Sequence, residues 1–444
     1  MTFESVGQRL EAAVQRFGTR VALHELRGGI THVTTYAQVG RRLAEHAAWL
    51  DDAGVGRGQP VLVRAAPGQR LEAMLGELAV VRAGRVAVPV PADEPAHDAP
   101  GPVAGPAPGS PGLPGSAAQV EAAESLGLPI ELPLQAPTTP PRRGAHRPPE
   151  VPAPEVDAQD PALVLPTPQG PVVFTQGQLA AGLDALAGLL PVRPGRRHVT
   201  HVPDSPAGAR AFTWHALVGG AEYCRLGGPH ELLATAPRVL VACPEDFVAA
   251  RDGLRPQVVG VRARAQRMAG AVGRARAAGR RVSALSRAGH GLLEATVLAP
   301  ARAALGRPSV AICAGPTALP ADVLDAYFAA GIVVYQAWTP PQAFGPLTAN
   351  APARVRFGTL GTAVATAAES VRLEPTEATG AGTATDAGTT GEATASRWVE
   401  ASAPWLAAPA RLPGRLDADG YLVPDSPGVE PGRPATRPAA TGRG

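Results

Sequence analysis

The side chains that could do chemistry in this chain are arginines, three cysteines, ten histidines and a few isolated carboxylates. No lysine stands among them, and all 41 basic residues are arginine. Arginine neither deprotonates usefully nor replaces a compact ammonium, so Schiff-base chemistry and any step needing an ε-ammonium are excluded. Cys224, Cys243 and Cys313 are an odd number with no close pair. They read as small buried hydrophobes or reactive thiols in a reducing compartment, with no zinc-like spacing. Asp204, Glu222 and Asp246 have no spacing that suggests an acid/base pair or a metal site, and His198 and His201 are neighbours only in sequence. Ser205-Pro-Ala-Gly208 lacks the glycine that precedes the serine of a nucleophile elbow. The densest basic run is Arg262, Arg264, Arg267, Arg274, Arg276, Arg280, Arg281 and Arg287, interleaved with Val261, Ala265, Met268 and Val272. It suits either a solvated helix face or a contact to an anionic membrane surface or phosphorylated ligand; its mostly alanine apolar side limits membrane contact to weak and peripheral.

At 444 residues with 45% hydrophobic side chains the chain can bury a large core in two or three subdomains. Its 51 glycines and 49 prolines exceed ordinary usage, which assigns a good part of it to loops. The net charge of +3 is too small for a nucleic-acid binder, and no such motif is present. The first ten residues lack a leader pattern and no apolar run approaches ~18 residues, so a cytoplasmic protein without a transmembrane segment is expected.

The elements that must position any site follow from periodicity. Val6, Leu10, Val14 and Phe17 recur at helical spacing, Val21 and Leu23 alternate before Gly28-Gly29, and Tyr36, Val39, Leu43, Ala47 and Leu50 return to the helical period. Strand 60–63, helix 70–83 and strand 86–90 predict a parallel α/β sheet with right-handed crossovers. Residues 92–157 read as a Pro/Gly-rich, disordered linker with a faint helix over 117–126. Order resumes with a strand at 162–165 and a helix over 176–190, followed by strands at 239–242, 310–313 and 331–335. A Thr/Gly/Ala-rich linker over 376–396 precedes a small β segment, 397–427, and a disordered tail, 428–444.

Leu10 to Val90, with Thr35-Tyr36, Gly54-Val-Gly-Arg-Gly58 and Val86-Ala-Val-Pro-Val90, resembles the opening of the adenylate-forming, AMP-binding acyl-CoA synthetase superfamily. Pro237-Arg-Val-Leu240, Ala301 to Gly306, Ile312-Cys-Ala-Gly315, Leu319 to Tyr327 and Gly358-Thr-Leu-Gly361 continue it, in the order of the bacterial long-chain fatty acid:CoA ligase branch. On this resemblance 1–91 and 158–375 are two parts of one AMP-binding-like α/β domain of largely parallel sheets flanked by helices, with the C-terminal lid and its catalytic lysine missing.

The resemblance implies ATP, magnesium and coenzyme A as cofactors, but the positions that would hold them are degraded. The phosphate loop maps to Leu165-Pro-Thr-Pro-Gln-Gly-Pro-Val172, which keeps only Thr167 and Gly170, has no lysine, and loses amide donors to three prolines. The remaining nucleotide-binding positions map to Gly315, Pro316, Gln336, Ala337, Trp338 and Gln342. Trp338 stands at the adenine-stacking aromatic, Pro341 at a threonine, and neutral Gln342 at the magnesium glutamate. A buried core residue followed by a tight turn at Pro340-Pro341 is the other reading of this segment. Leu406 to Pro413 has no acid to hold a ribose, and Asp417 and Asp419 read as a hairpin turn. The expectation is a pseudoenzyme with no catalytic residues and no metal site, which binds a long-chain fatty acid or acyl-adenylate or partners an intact homologous synthetase. Two alternatives stay open: a weak ligase in which arginines such as Arg210 or Arg411 replace the lysines, and a non-functional remnant.

Overall fold

The computed structural model describes residues 3–27, 30–64, 70–90, 130–132, 153–167, 170–200, 207–225, 237–248, 275, 283, 308, 310–315, 317–329, 332–351, 355–356, 358–365, 371–377, 397–408 and 410–424. Helix α1 (Val6–Phe17), hairpin strands β1 (Val21–Arg27) and β2 (Ile30–Thr35), and helix α2 (Tyr36–Asp52) open the chain. Ser5 with Gln8 and Thr35 with Gln38 form capping boxes that satisfy the first orphan amides of each helix. Strand β3 (Pro60–Arg64), helix α3 (Arg70–Arg82) and strand β4 (Val86–Val90) form the expected unit, with β3 and β4 parallel.

Strand β5 (Ile130–Glu131) pairs parallel with β3 and is followed by buried Leu132. The stretch 92–157 is therefore more than a linker: one apolar run within it supplies a sheet edge. The faint helix at 117–126 lies outside the described residues. Strands β6 (Pro161–Thr167) and β7 (Gly170–Thr175) complete a five-stranded sheet ordered β5-β3-β4-β6-β7.

Helix α4 (Gln176–Leu189) leads to β8 (Arg197–Thr200), α5 (Ala207–Val218), β9 (Glu222–Arg225), β10 (Val239–Ala242) and β11 (Val310–Gly315). Helix α6 (Ala321–Ala329), β12 (Val334–Trp338), β13 (Thr348–Ala349) and β14 (Thr362–Ala363) follow. These strands join the first hairpin in a nine-stranded sheet ordered β14-β13-β12-β11-β10-β8-β9-β1-β2, parallel from β12 through β1. The strand expected over 331–335 starts later, at Val334, because the Ile332 amide bonds back to the Tyr327 carbonyl and closes α6. Strands β15 (Arg372–Glu377), β16 (Arg397–Ser402), β17 (Ala410–Leu416) and β18 (Leu422–Pro424) form a four-stranded antiparallel sheet.

Alternation along the central strands sorts their residues onto two faces. Leu240, Ala242, Ala311, Cys313 and Val334 pack with Leu324 and Phe328 of α6. Val239, Val241, Ile312, Ala314 and Ala337 join the larger core with residues of α4 and α5. Burial on both faces explains the near-continuous apolar runs of β10 and β11.

Candidate functional site

The phosphate-loop position is a tight hairpin. β6 and β7 pair antiparallel from Pro161↔Thr175 to Thr167↔Gly170, and Gly170 takes φ 117° at the closing pair. Only residues 168 and 169, outside the described set, separate the strands, and Pro166 opposite Pro171 removes donors from the ladder. Thr175 at the far end of β7 is committed to the α4 capping box. A run of free amides long enough to surround two phosphates does not fit between these strands.

At the C-terminal ends of the parallel strands, Gly315 lies beside Trp338, and a Cβ on Gly315 would sit 2.7 Å from the Pro244 ring. Trp338 is 1% exposed, which leaves its indole no free face for a base. Thr339 donates its amide to the Gly315 carbonyl and packs so closely on α5 that a Cβ on Gly208 would meet the Thr339 Cβ at 2.8 Å. Ala343 closes a turn onto Pro340, and the Gln342 carbonyl accepts from Ala407. The alternative reading of this segment, a core tryptophan followed by a tight turn, describes the geometry.

Gln336 is also engaged: its Oε1 accepts from the Leu319 amide at 2.5 Å and its Nε2 donates to the Thr359 carbonyl at 3.1 Å. Thr167 and Gly170 belong to the hairpin, Ala337 is buried in β12, and Pro316 lies outside the described residues. The described positions that map to a nucleotide site are therefore split between two sheets, and Gln336, Ala337, Trp338 and Gln342 are buried. They do not fit ATP and magnesium, and no step is derived through them.

The ribose position offers no carboxylate either. Arg411 pairs with Glu400 at 3.0 Å. Asp417 and Asp419 form the expected turn: the Asp417 Oδ1 accepts from the Asp419 and Tyr421 amides, and Arg356 bridges both carboxylates at 2.8 and 2.9 Å. Arg210, the other candidate lysine substitute, is bidentate to buried Glu77.

Of the cysteines, Cys224 and Cys313 are buried. Cys243 donates to the Asp246 carboxylate at 2.8 Å, and burial followed by that bond pushes its thiol far up, which disfavours the thiolate. Among the described residues no cluster could hold a metal ion, and no helix is long and apolar enough to cross a membrane. The arginines of the run between 262 and 287 lie outside the described residues.

Two concave sites stand out among the described residues, a wider one between α1 and α4 and a cavity of about 460 Å³ on the α4 side of the nine-stranded sheet. Leu189 and Leu190 cover the latter, Val310, Ile312, Ala337 and Ala349 form its apolar floor, and Arg193, Arg196 and Arg238 stand around it at the N-terminal strand ends. His198 and Tyr335 also line it. His198 is 5% exposed, and among the described residues its ring nitrogens have no hydrogen-bond partner; nor does the Tyr335 hydroxyl. Sequence pattern does not single out His198, because the strands that form the cavity with it, β10 and β11, lie more than forty and a hundred residues downstream; the one local signal is its place beside an arginine at a strand start.

Burial, then nearby His215, holds His198 down at about 4, and burial also lowers His46 and His215. A lowered histidine binds its proton more readily in the unfolded chain, so stability is full above about pH 6.5 and falls as pH drops towards 4. For His198 alone the loss approaches about 3 kcal/mol. Denaturant titrations at pH 7.5 and 4.5 should show it, and His198→Gln should flatten the dependence; an unchanged slope would remove His198 as its source.

Comparison with known proteins agrees with this architecture. Residues 10–99 match the family model described as AMP-binding enzyme. No curated protein matches the chain. Among solved structures, the N-terminal domain of FACL13 from Mycobacterium tuberculosis superposes with a TM-score of 0.59 at 15% identity, covering 95% of this chain and 100% of that one. A Mycobacterium tuberculosis fatty acyl CoA synthetase gives 0.57 at 15%, covering 95% and 78%, and E. coli MenE with a bound OSB-AMS analogue gives 0.57 at 16%, with the same coverage. In fold the chain is similar to the N-terminal domains of adenylate-forming enzymes, and its residues 10–99 match the AMP-binding enzyme model.

Proposed function

We propose that this chain binds an aliphatic carboxylate in the cavity beneath α4 and does not drive its ATP-dependent conversion to a thioester. The observation that carries the reading is the contrast between the two places. The cavity keeps an apolar floor and cationic surroundings, whereas the phosphate-loop position is a two-residue hairpin connection flanked by prolines. Catalysis by such a fold rests on groups aimed at developing charge, each worth about 3–4 kcal/mol, and here the lysines are absent while Gln342 and Pro341 replace the magnesium and phosphate contacts. Arg210 and Arg411 are no substitutes, because each already pairs with a carboxylate.

Purified protein incubated with palmitate, ATP, magnesium and coenzyme A is expected to yield neither palmitoyl-adenylate nor palmitoyl-CoA above a heat-denatured control, read by mass spectrometry. Adenylate above the control would overturn the inactive reading. A single cooperative melt in the same preparation separates a folded binding protein from a remnant.

A further inference from the structure

The cavity is polarised along the strand direction, and its polarity fixes which end of a ligand enters first. Arg193 and Arg196 sit in the turn before β8, where the Arg196 amide bonds to the Arg193 carbonyl and Gly195 takes φ 72°. Arg238 immediately precedes β10. All three stand at the N-terminal edge and are exposed, and among the described residues no acidic side chain lines the cavity with them and neither Arg193 nor Arg196 has an ion-pair partner. One step inside, His198 lies level with Val239 and reaches the cavity without a hydrogen-bond partner among the described residues.

Further along, Ile312, Ala337 and Ala349 are apolar, and the two amides that line this end, Gln336 and Asn350, are committed to the Thr359 carbonyl. At the C-terminal edge the strands are closed by Thr339 against Gly208 and by Gly315 against Pro244. A carboxylate pushed to that end would lose its hydration with no cation to replace it, at a cost far above anything gained from the chain. Left at the arginines it keeps charge-assisted bonds, for which a guanidinium is matched in geometry, while the alkyl chain fills the apolar floor.

Building on the acyl-binding reading above, we propose that the cavity takes an aliphatic monocarboxylate tail-first, with its carboxylate held at the N-terminal strand edge by Arg193, Arg196 and Arg238 and by a hydrogen bond from His198. The carboxylate then points away from Gly315 and Trp338, and the strand ends that would have to activate it meet the terminal methyl instead. Binding and adenylation are thereby separated by orientation as well as by the missing phosphate groups.

Calorimetric titration of the full chain with dodecanoate and dodecanol tests the head-group site. Dodecanoate should bind at least about tenfold more tightly, the worth of one charge-assisted bond, and Arg193→Glu/Arg196→Glu should remove that preference while leaving dodecanol binding and the melting temperature unchanged. Orientation is read separately from tryptophan quenching, because Trp338 follows Ala337 at the closed end. 12-Bromododecanoate should quench more strongly than 2-bromododecanoate. Equal affinity for acid and alcohol, or stronger quenching by the 2-bromo acid, overturns the tail-first proposal while leaving acyl binding intact; no binding of either compound overturns the acyl-binding reading itself.

Discussion

Arg210→Ala is expected to destabilise the fold strongly rather than to remove a nucleotide contact. The Arg210 Nε and Nη2 donate to the two Glu77 carboxylate oxygens at 2.7 and 3.1 Å, and both side chains are at most 10% exposed. The pair ties α5, at the nine-stranded sheet, to α3, at the five-stranded one. Removing one member leaves the other charge buried without its principal counterion, which costs about 3–5 kcal/mol. Set against a total stability of about 5–15 kcal/mol, this shifts the denaturation midpoint markedly. Glu77→Ala should cost a similar amount, and the double replacement Arg210→Met/Glu77→Leu should recover most of the loss, because apolar side chains of similar volume often substitute for a buried pair without penalty. Denaturant titration of the four proteins checks each expectation. A fully stable Arg210→Ala protein with weakened ATP binding would instead support the reading in which this arginine substitutes for a phosphate-binding lysine.

The element pattern was legible in the sequence because it depends on local periodicity. Val6, Leu10, Val14 and Phe17 lie in α1, the 60–63 and 86–90 runs are β3 and β4, and Val239–Ala242 is β10. What local pattern could not convey is pairing at a distance. Ile130–Glu131 is a strand because β3 offers it an edge across a Pro/Gly-rich stretch, and nothing nearby in sequence announces that edge. The same limit applied to function. The reading of Trp338 and Pro340-Pro341 as a core residue and a turn needed only adjacent residues and describes the structure. The cavity escaped notice because Arg193, His198, Arg238, Ile312 and Ala349 meet only when five strands align.

Gly361→Ala should be among the most damaging single substitutions in the chain, and comparison with Gly358→Ala shows why the Gly358-Thr-Leu-Gly361 motif is structural. Both glycines take positive φ, 73° at Gly358 and 88° at Gly361, so alanine at either is strained by about 1–2 kcal/mol. At Gly358 the added Cβ meets nothing within 4 Å. At Gly361 it would fall 1.9 Å from the Ala349 carbonyl carbon, against backbone that cannot swing aside as a flexible side chain would. That backbone is the end of β13, where Ala349 and the following Asn350 line the cavity, and the Gly361 carbonyl itself accepts the Leu422 amide that ties β18 to this sheet. Gly358→Ala should therefore melt slightly lower and bind dodecanoate as the parent does. Gly361→Ala should lose more than about 4 kcal/mol and any residual folded protein should bind dodecanoate poorly. Equal melting temperatures for the two variants would show that β13 can retreat from Gly361, and the close approach would then no longer explain the glycine.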